Sequence, residues 1–290
     1  MTNYVRKLIN IKFFNHGGLG DIHVSRSFIN DIVQYPHFVC QYYSNHSNYI
    51  LNDVNITIDK MLEGLTREMK LRSLHNTHFM NTWYGHGTHT TLQTLYNNFK
   101  PLYKALYIPQ RDLLSYLPKI NYSKFNINPI NNYIKAFKKK NEKYILVCNN
   151  DCNSNQSTNF DMNPLIKEIA EKFKNDTIIV TNDQQNRINM NNVVYFKDIL
   201  DIEIDLNEIS YLSTKCDVII GKNSGPHTFC YVEENINRNS CFISIVNQRW
   251  PYYDFGLKQL NTRSTFINID VNKINEIVNH IKGFCDASNK

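Results

Sequence analysis

The chain has 290 residues, 42% of them hydrophobic and spread along its whole length, and a formal net charge of +6 at pH 7. That is enough chain for two modest domains, each with its own core, and it excludes a largely disordered protein. The basic residues are scattered apart from Lys138, Lys139 and Lys140, which argues against a nucleic-acid partner, while a mild positive excess suits a nucleotide diphosphate or an anionic membrane face.

No apolar run approaches the ~20 residues that a bilayer-spanning helix needs. The opening MTNYVRKLINIKFF lacks the apolar core and small-residue site of a signal peptide, so a cytoplasmic protein is expected. Its seven cysteines are an odd number, mostly in apolar stretches, and are expected to be reduced.

In chain order, residues Asn10 to Phe14 read as a first strand, followed by a turn, His16 to Asp21, that carries Gly17, Gly18 and Gly20. A helix is expected over Ile22 to Val33 and a strand over Phe38 to Tyr43. A dinucleotide fingerprint would need a third glycine where His23 stands and an acid where Ser44 and Asn45 close the second strand. No nicotinamide cofactor is therefore expected. Met61 to Leu71 reads as a helix, His78 to Trp83 as a strand, and Thr90 to Leu106 as a long helix bent at Pro101.

Between Pro109 and Lys140 the pattern loosens around Pro118 and Pro129 before the basic helical run Ile130 to Lys140. A crossover placed here divides the chain into domains 1–140 and 141–290. Lys143 to Cys148 opens the second half as a strand. A polar loop follows, and then a helix with Asn163 as cap and Pro164 at its first position. Further strands are expected at Thr177 to Thr181, Val193 to Phe196, Cys241 to Val246 and Thr265 to Ile269. Asp205 with Glu208 suits a capping box for the helix leading to Cys216, and Asn272 to Phe284 closes the chain as a helix. Such βα alternation argues for parallel sheets with helices on both faces.

Most of the chemistry gathers in Cys216 to Tyr231, CDVIIGKNSGPHTFCY. A buried strand ends at Gly221; Lys222, Asn223, Ser224 and Gly225 form a small polar turn; Pro226 stands at a helix start. Backbone N–H groups and the positive end of a helix dipole would face an anion there, although any strand, turn and helix shares this shape.

The N-terminal turn in IKFFNHGGLGDIHV and the later NSGP turn together resemble the paired GxGD and (D/N)SGP marks of the ADP-heptose-dependent glycosyltransferases. The resemblance implies a GT-B fold: an α/β chain of two Rossmann-like domains facing each other across a cleft. It implies metal-independent transfer of a sugar from a nucleotide-diphosphate sugar to a hydroxyl on a glycan, glycolipid or protein, with no further cofactor. By the same likeness Asp21 is the base that takes the acceptor's proton, although an acid in the first turn of a helix also serves as a plain cap. Gly18 and Gly20 lie on the acceptor side. Lys222, Asn223, Ser224, Gly225, Pro226, His227 and Thr228 form the donor-diphosphate site. The chain departs from the pattern in three ways. Asn223 replaces an aspartate, His227 lies two residues past the glycine instead of three, and the loop Asn149 to Asp161 shows no lysine. A nucleotide-sugar epimerase of the same fold, or a sugar- or nucleotide-binding protein without chemistry, remains an alternative.

Other constellations are weaker. His86 and His89 stand at a strand end and suit the acceptor side of the cleft or a surface loop; without a third ligand nearby they do not make a zinc site. Cys148 and Cys152 lack a second close pair. Asp201, Glu203 and Asp205 alternate along a connecting segment and read as a solvated acidic loop. Arg249, Trp250 and Tyr252 suit the wall of a nucleotide-base pocket, or equally a core or domain contact.

Overall fold

The computed structural model describes residues 8–83, 91–139, 142–152, 159–183, 186–203, 205–222, 224–246, 256–258, 260 and 262–287. Described residues up to Lys124 cluster as one compact unit and those from Phe125 onward as a second. Among the described residues no helix is long and apolar enough to cross a membrane.

In the first unit β1 (Ile9–Phe14) leads through the glycine turn into α1 (Leu19–Val33). It pairs in parallel with β2 (Phe38–Tyr43) on one side and β5 (Thr77–Asn81) on the other. β3 (Ile58–Asp59) extends the sheet beside β2, and β4 (Leu71–Leu74) runs antiparallel along β5, giving the order β3-β2-β1-β5-β4. With α2 (Thr91–Ala105), α1 covers the sheet's apolar face. Phe28 of α1 stacks on Phe99 of α2 at 4.7 Å and on Tyr116 at 4.2 Å between ring centroids. Burying such a phenylalanine contributes about 1.5–3 kcal/mol. Asp31 anchors the far end of α1, accepting hydrogen bonds from Tyr103 (2.7 Å) and Tyr116 (3.2 Å) and pairing with Arg111 (2.8 Å).

The expected helix over Met61 to Leu71 does not form. Its apolar spacing is helical, but Gly64 sits at φ +80°, a conformation that breaks a right-handed helix. The chain turns there and enters the β4–β5 hairpin, whose antiparallel edge is the exception to the parallel alternation.

In the second unit α3 (Asn128–Phe137) precedes β6 (Tyr144–Cys148). There follow α4 (Asn163–Lys172), β7 (Thr177–Val180), β8 (Val193–Tyr195), α5 (Phe196–Ile199), α6 (Leu206–Ser213), β9 (Val218–Lys222) and α7 (Gly225–Phe229). The short α8 (Glu233–Ile236), then β10 (Cys241–Val246), β11 (Thr265–Asp270) and α9 (Ile274–Ala287) complete it. The sheet is parallel throughout, in the order β11-β10-β9-β6-β7-β8. All five residues of β6 and all five of β9 are buried, as a doubly covered parallel sheet requires, although the apolar run of β9 gives way at its end to Gly221 and Lys222. α9 packs on this unit through Ile277, Val278, Ile281 and Cys285.

Two local expectations change. Asp205 caps α6 without a side-chain bond to it, because its carboxylate pairs with Lys197 at 3.0 Å. Glu208 instead accepts the Asn126 N–H, so no capping box forms. The cap of α4 is Met162, with Asn163 and Pro164 in the first turn.

Candidate functional site

In each sheet the strand order reverses beside the first strand of its unit, and open α/β sheets bind ligands at the carboxyl edge at such a switch point. In the second unit this is the crevice between β6 and β9; in the first it lies where β1 ends.

The turn after β1 is tightly specified. Asp21, at the third position of α1, accepts the Gly18 N–H at 2.7 Å, while the Gly17 N–H donates to Asn15 Oδ1 at 2.6 Å. His46 Nε2 meets the Gly17 carbonyl at 2.8 Å, and Asn15 donates to Thr82 Oγ1 at 3.0 Å. A side chain at Gly17 would collide with Asp21, its Cβ lying 2.6 Å from the carboxylate carbon. The glycine run thus makes room for one carboxylate at a helix start, where negative charge is favoured. Gly18 is exposed, and Gly20 lies half-buried in the first turn of α1. A shallow cavity of about 500 Å³ opens around His46, lined also by Ser44, Asn45, Ser47, Asp59 and Lys60.

At the second switch point Lys222 ends β9 with its side chain fully buried, its Nζ 3.1 Å from Asp151 Oδ1. Asp151 belongs to the loop after β6, and its carboxylate is 55% exposed. The Phe160 ring lies under the ammonium, 5.0 Å from the nitrogen to the centroid. Ser224 caps α7 but directs no side-chain bond into it; its Oγ is buried and, among the described residues, without a partner. Pro226 holds the first turn of α7, with Gly225 half-buried and Thr228 buried beside it. α7 has only five residues, so few dipoles align along it. The larger positive feature at this edge is the Lys222 ammonium.

His227 faces another way. Its ring packs against Tyr231 at 5.3 Å and Phe242 at 6.4 Å, both near edge-on, and its Cβ lies 2.8 Å from where a side chain on Gly221 would begin. Burial lowers its pKa to about 3, so at neutral pH the imidazole is uncharged, and among the described residues its two nitrogens have no hydrogen-bond partner. It braces the turn from behind the sheet and brings no charge to an anion.

No family model matches the sequence, and no curated protein does. Solved structures do match. The glycosyl transferase family 9 protein of Veillonella parvula aligns with 95% of this chain and 90% of its own at 12% identity, with a TM-score of 0.54. E. coli heptosyltransferase WaaC with ADP aligns over 96% and 99% at 8% identity and 0.52. UDP-GlcNAc 2-epimerase from Neisseria meningitidis bound to UDP-GlcNAc aligns over 97% and 92% at 11% identity and 0.51. The chain has the GT-B fold, in a form distantly like the heptosyltransferases.

Within this GT-B fold the structure brings Lys222, Ser224, Gly225, Pro226 and Thr228 together at one sheet edge and sets Asp21, Gly18 and Gly20 at the edge of the other. Asn223, His86, His89, Arg249, Trp250 and Tyr252 lie outside the described residues. Three participants in the GT-B edges escaped the sequence reading: Asp151, His46 and the clasp of Asn149 on Asn182. Asn149 donates to the Asn182 carbonyl and accepts its N–H, each at 2.8 Å, fixing the β6 loop to the β7 loop. Only the excess of Asn and Asp in Asn149 to Asp161 hinted at it, since such side chains mimic backbone hydrogen bonding. Among the described residues no three His, Cys, Asp or Glu side chains converge as metal ligands.

Proposed function

We propose that this chain transfers a sugar from a nucleotide-diphosphate sugar to a hydroxyl acceptor. The observation that carries the reading is a fully buried lysine at the switch point of a GT-B second sheet. A stripped ammonium at a ligand-binding edge calls for an anion, and the leaving group of such a donor is a diphosphate. Lys222, the Ser224 hydroxyl and the N–H groups opening α7 would neutralise that charge as the glycosidic bond breaks, so a metal is not required. Asp21 takes the acceptor proton, from an acceptor whose hydroxyls rest against the polar cavity around His46. The acceptor is a glycan, a glycolipid or a protein, and the work is cytoplasmic.

The likeness to a UDP-GlcNAc 2-epimerase favours a second reading, in which the donor's sugar is altered and not moved. Mass spectrometry of the protein with a panel of ADP-, GDP- and UDP-sugars separates the two. Transfer to an acceptor, or donor hydrolysis, supports the transferase; an isomerised sugar supports the epimerase; binding with neither overturns both in favour of a binding protein.

A further inference from the structure

The ion pair across the β6–β9 crevice is asymmetric. Lys222 has no exposed side-chain surface, so its ammonium depends on an anion for what water no longer supplies. Asp151 is half in water and has no such dependence. Of the ammonium's three N–H donors, one points to Asp151 Oδ1, and the Phe160 ring lies beneath the nitrogen. Two residues on, the buried Ser224 hydroxyl has no partner among the described residues. The segment that carries Asp151 is pinned close by. Asn149 clasps Asn182, Asn150 accepts the Thr181 hydroxyl at 2.6 Å, and the Cys152 N–H donates to Asn159 Oδ1 at 2.7 Å. Freeing Lys222 therefore takes the rotation of one half-hydrated side chain, not the opening of a loop.

We infer that Asp151 is an internal stand-in for the donor's diphosphate, seated on Lys222 until a nucleoside diphosphate group displaces it. The inference rests on the nucleotide-sugar reading above. Its consequence is that Asp151 weakens donor binding, because the incoming anion must expel a like charge, and the measured affinity is the difference between two anions for one seat. When the spent nucleoside diphosphate leaves, the carboxylate returns and the ammonium is never left bare.

Calorimetry tests this with ADP, GDP, UDP, CDP and inorganic pyrophosphate on the wild type, Asp151→Asn and Lys222→Met. Asp151→Asn is expected to bind the preferred nucleotide and pyrophosphate about tenfold more tightly, the scale of one like charge removed from a few ångströms away. Lys222→Met is expected to lose binding. If the wild type binds a nucleotide and Asp151→Asn binds it equally or more weakly, the inference is overturned while the nucleotide-sugar reading stands. If no probe binds wild type or variant, that reading fails and takes the inference with it. Should Asp151→Asn leave Lys222 too exposed to an unpaired state to purify, Asp151→Ala is read in concentrated formate, whose carboxylate fills the vacated seat. Formate must then compete with pyrophosphate; independence of the two overturns the proposal.

Discussion

The carboxylate of Asp21 occupies the space that a side chain on Gly17 would fill. Even one methyl group there must push the acid out of the turn or distort Asn15, whose Oδ1 would lie 2.9 Å from it. Gly17→Ala is therefore expected to lower kcat roughly 10²-fold through misplacement of the proposed base, with nucleotide affinity kept. Equal loss of both in steady-state kinetics and calorimetry would show that the turn serves the donor.

Asp21→Asn retains an oxygen to accept the Gly18 N–H, so α1 should keep its cap and the protein its melting temperature. On the proposed role of Asp21 as base, transfer should fall about 10²- to 10⁴-fold, the range for a lost general base, while the nucleotide binds as before, since such a base would act chiefly as the acceptor's proton leaves. Calorimetry beside a transfer assay reads both. A parallel loss of nucleotide binding would make Asp21 a cap or a donor contact.

Gly221→Ala tests the bracing of the second turn. Its Cβ would stand 2.8 Å from both Cβ and Cγ of His227 and 2.9 Å from Cys148 Cβ, and none of these lies at the loose end of a flexible chain. Overpacking of this kind costs about 1–3 kcal/mol. Urea unfolding should show the loss, and an unchanged midpoint would mean that the sheet yields there.

The buried His227 makes stability depend on pH. Its folded pKa of about 3 lies below the ordinary 6.5, so between these values the unfolded chain binds a proton that the folded chain refuses. Stability from this group is complete above pH 6.5 and falls as the pH drops through that window, by about 2 kcal/mol between pH 7 and pH 5. In His227→Leu that part of the acid sensitivity should vanish. Unfolding curves for the two proteins at pH 7 and pH 5 give the comparison; parallel losses would sink the assignment.

Some of this was written plainly in the chain. Phe38–Tyr43 and Cys241–Val246 are strands with the bounds that their apolar runs suggested; the second is buried along its first five residues, and a strand so buried in a parallel sheet has little freedom in composition. Both turns were visible through their glycines. Gly64 hid the first unit's edge: its neighbours carry a helical period, and only its backbone angle breaks it. The most consequential contact was illegible, since lysine is among the residues least often buried, and nothing local to Lys222 announces a carboxylate 71 positions away. The competition for Asp205 was hidden likewise, because Lys197 reaches it through space and removes it from the cap.

The cysteines offer a use of their own. All seven are free thiols, with Cys40 in the first unit and the other six, all buried, in the second. Burial pushes the Cys40 and Cys241 thiols up to about 12 and Cys285 to about 11, and raises Cys148 and Cys216 as well. Since the thiolate is the reactive form, and Cys152 and Cys230 are themselves buried away from reagents, alkylating reagents should find the native chain almost inert and mark it only where it opens. A pulse of iodoacetamide in rising urea would then act as a clock for each unit: modification of Cys40 times the first, and the set from Cys148 to Cys285 times the second. The chain thus carries a spectator label for asking whether its two halves come apart in one event or in two.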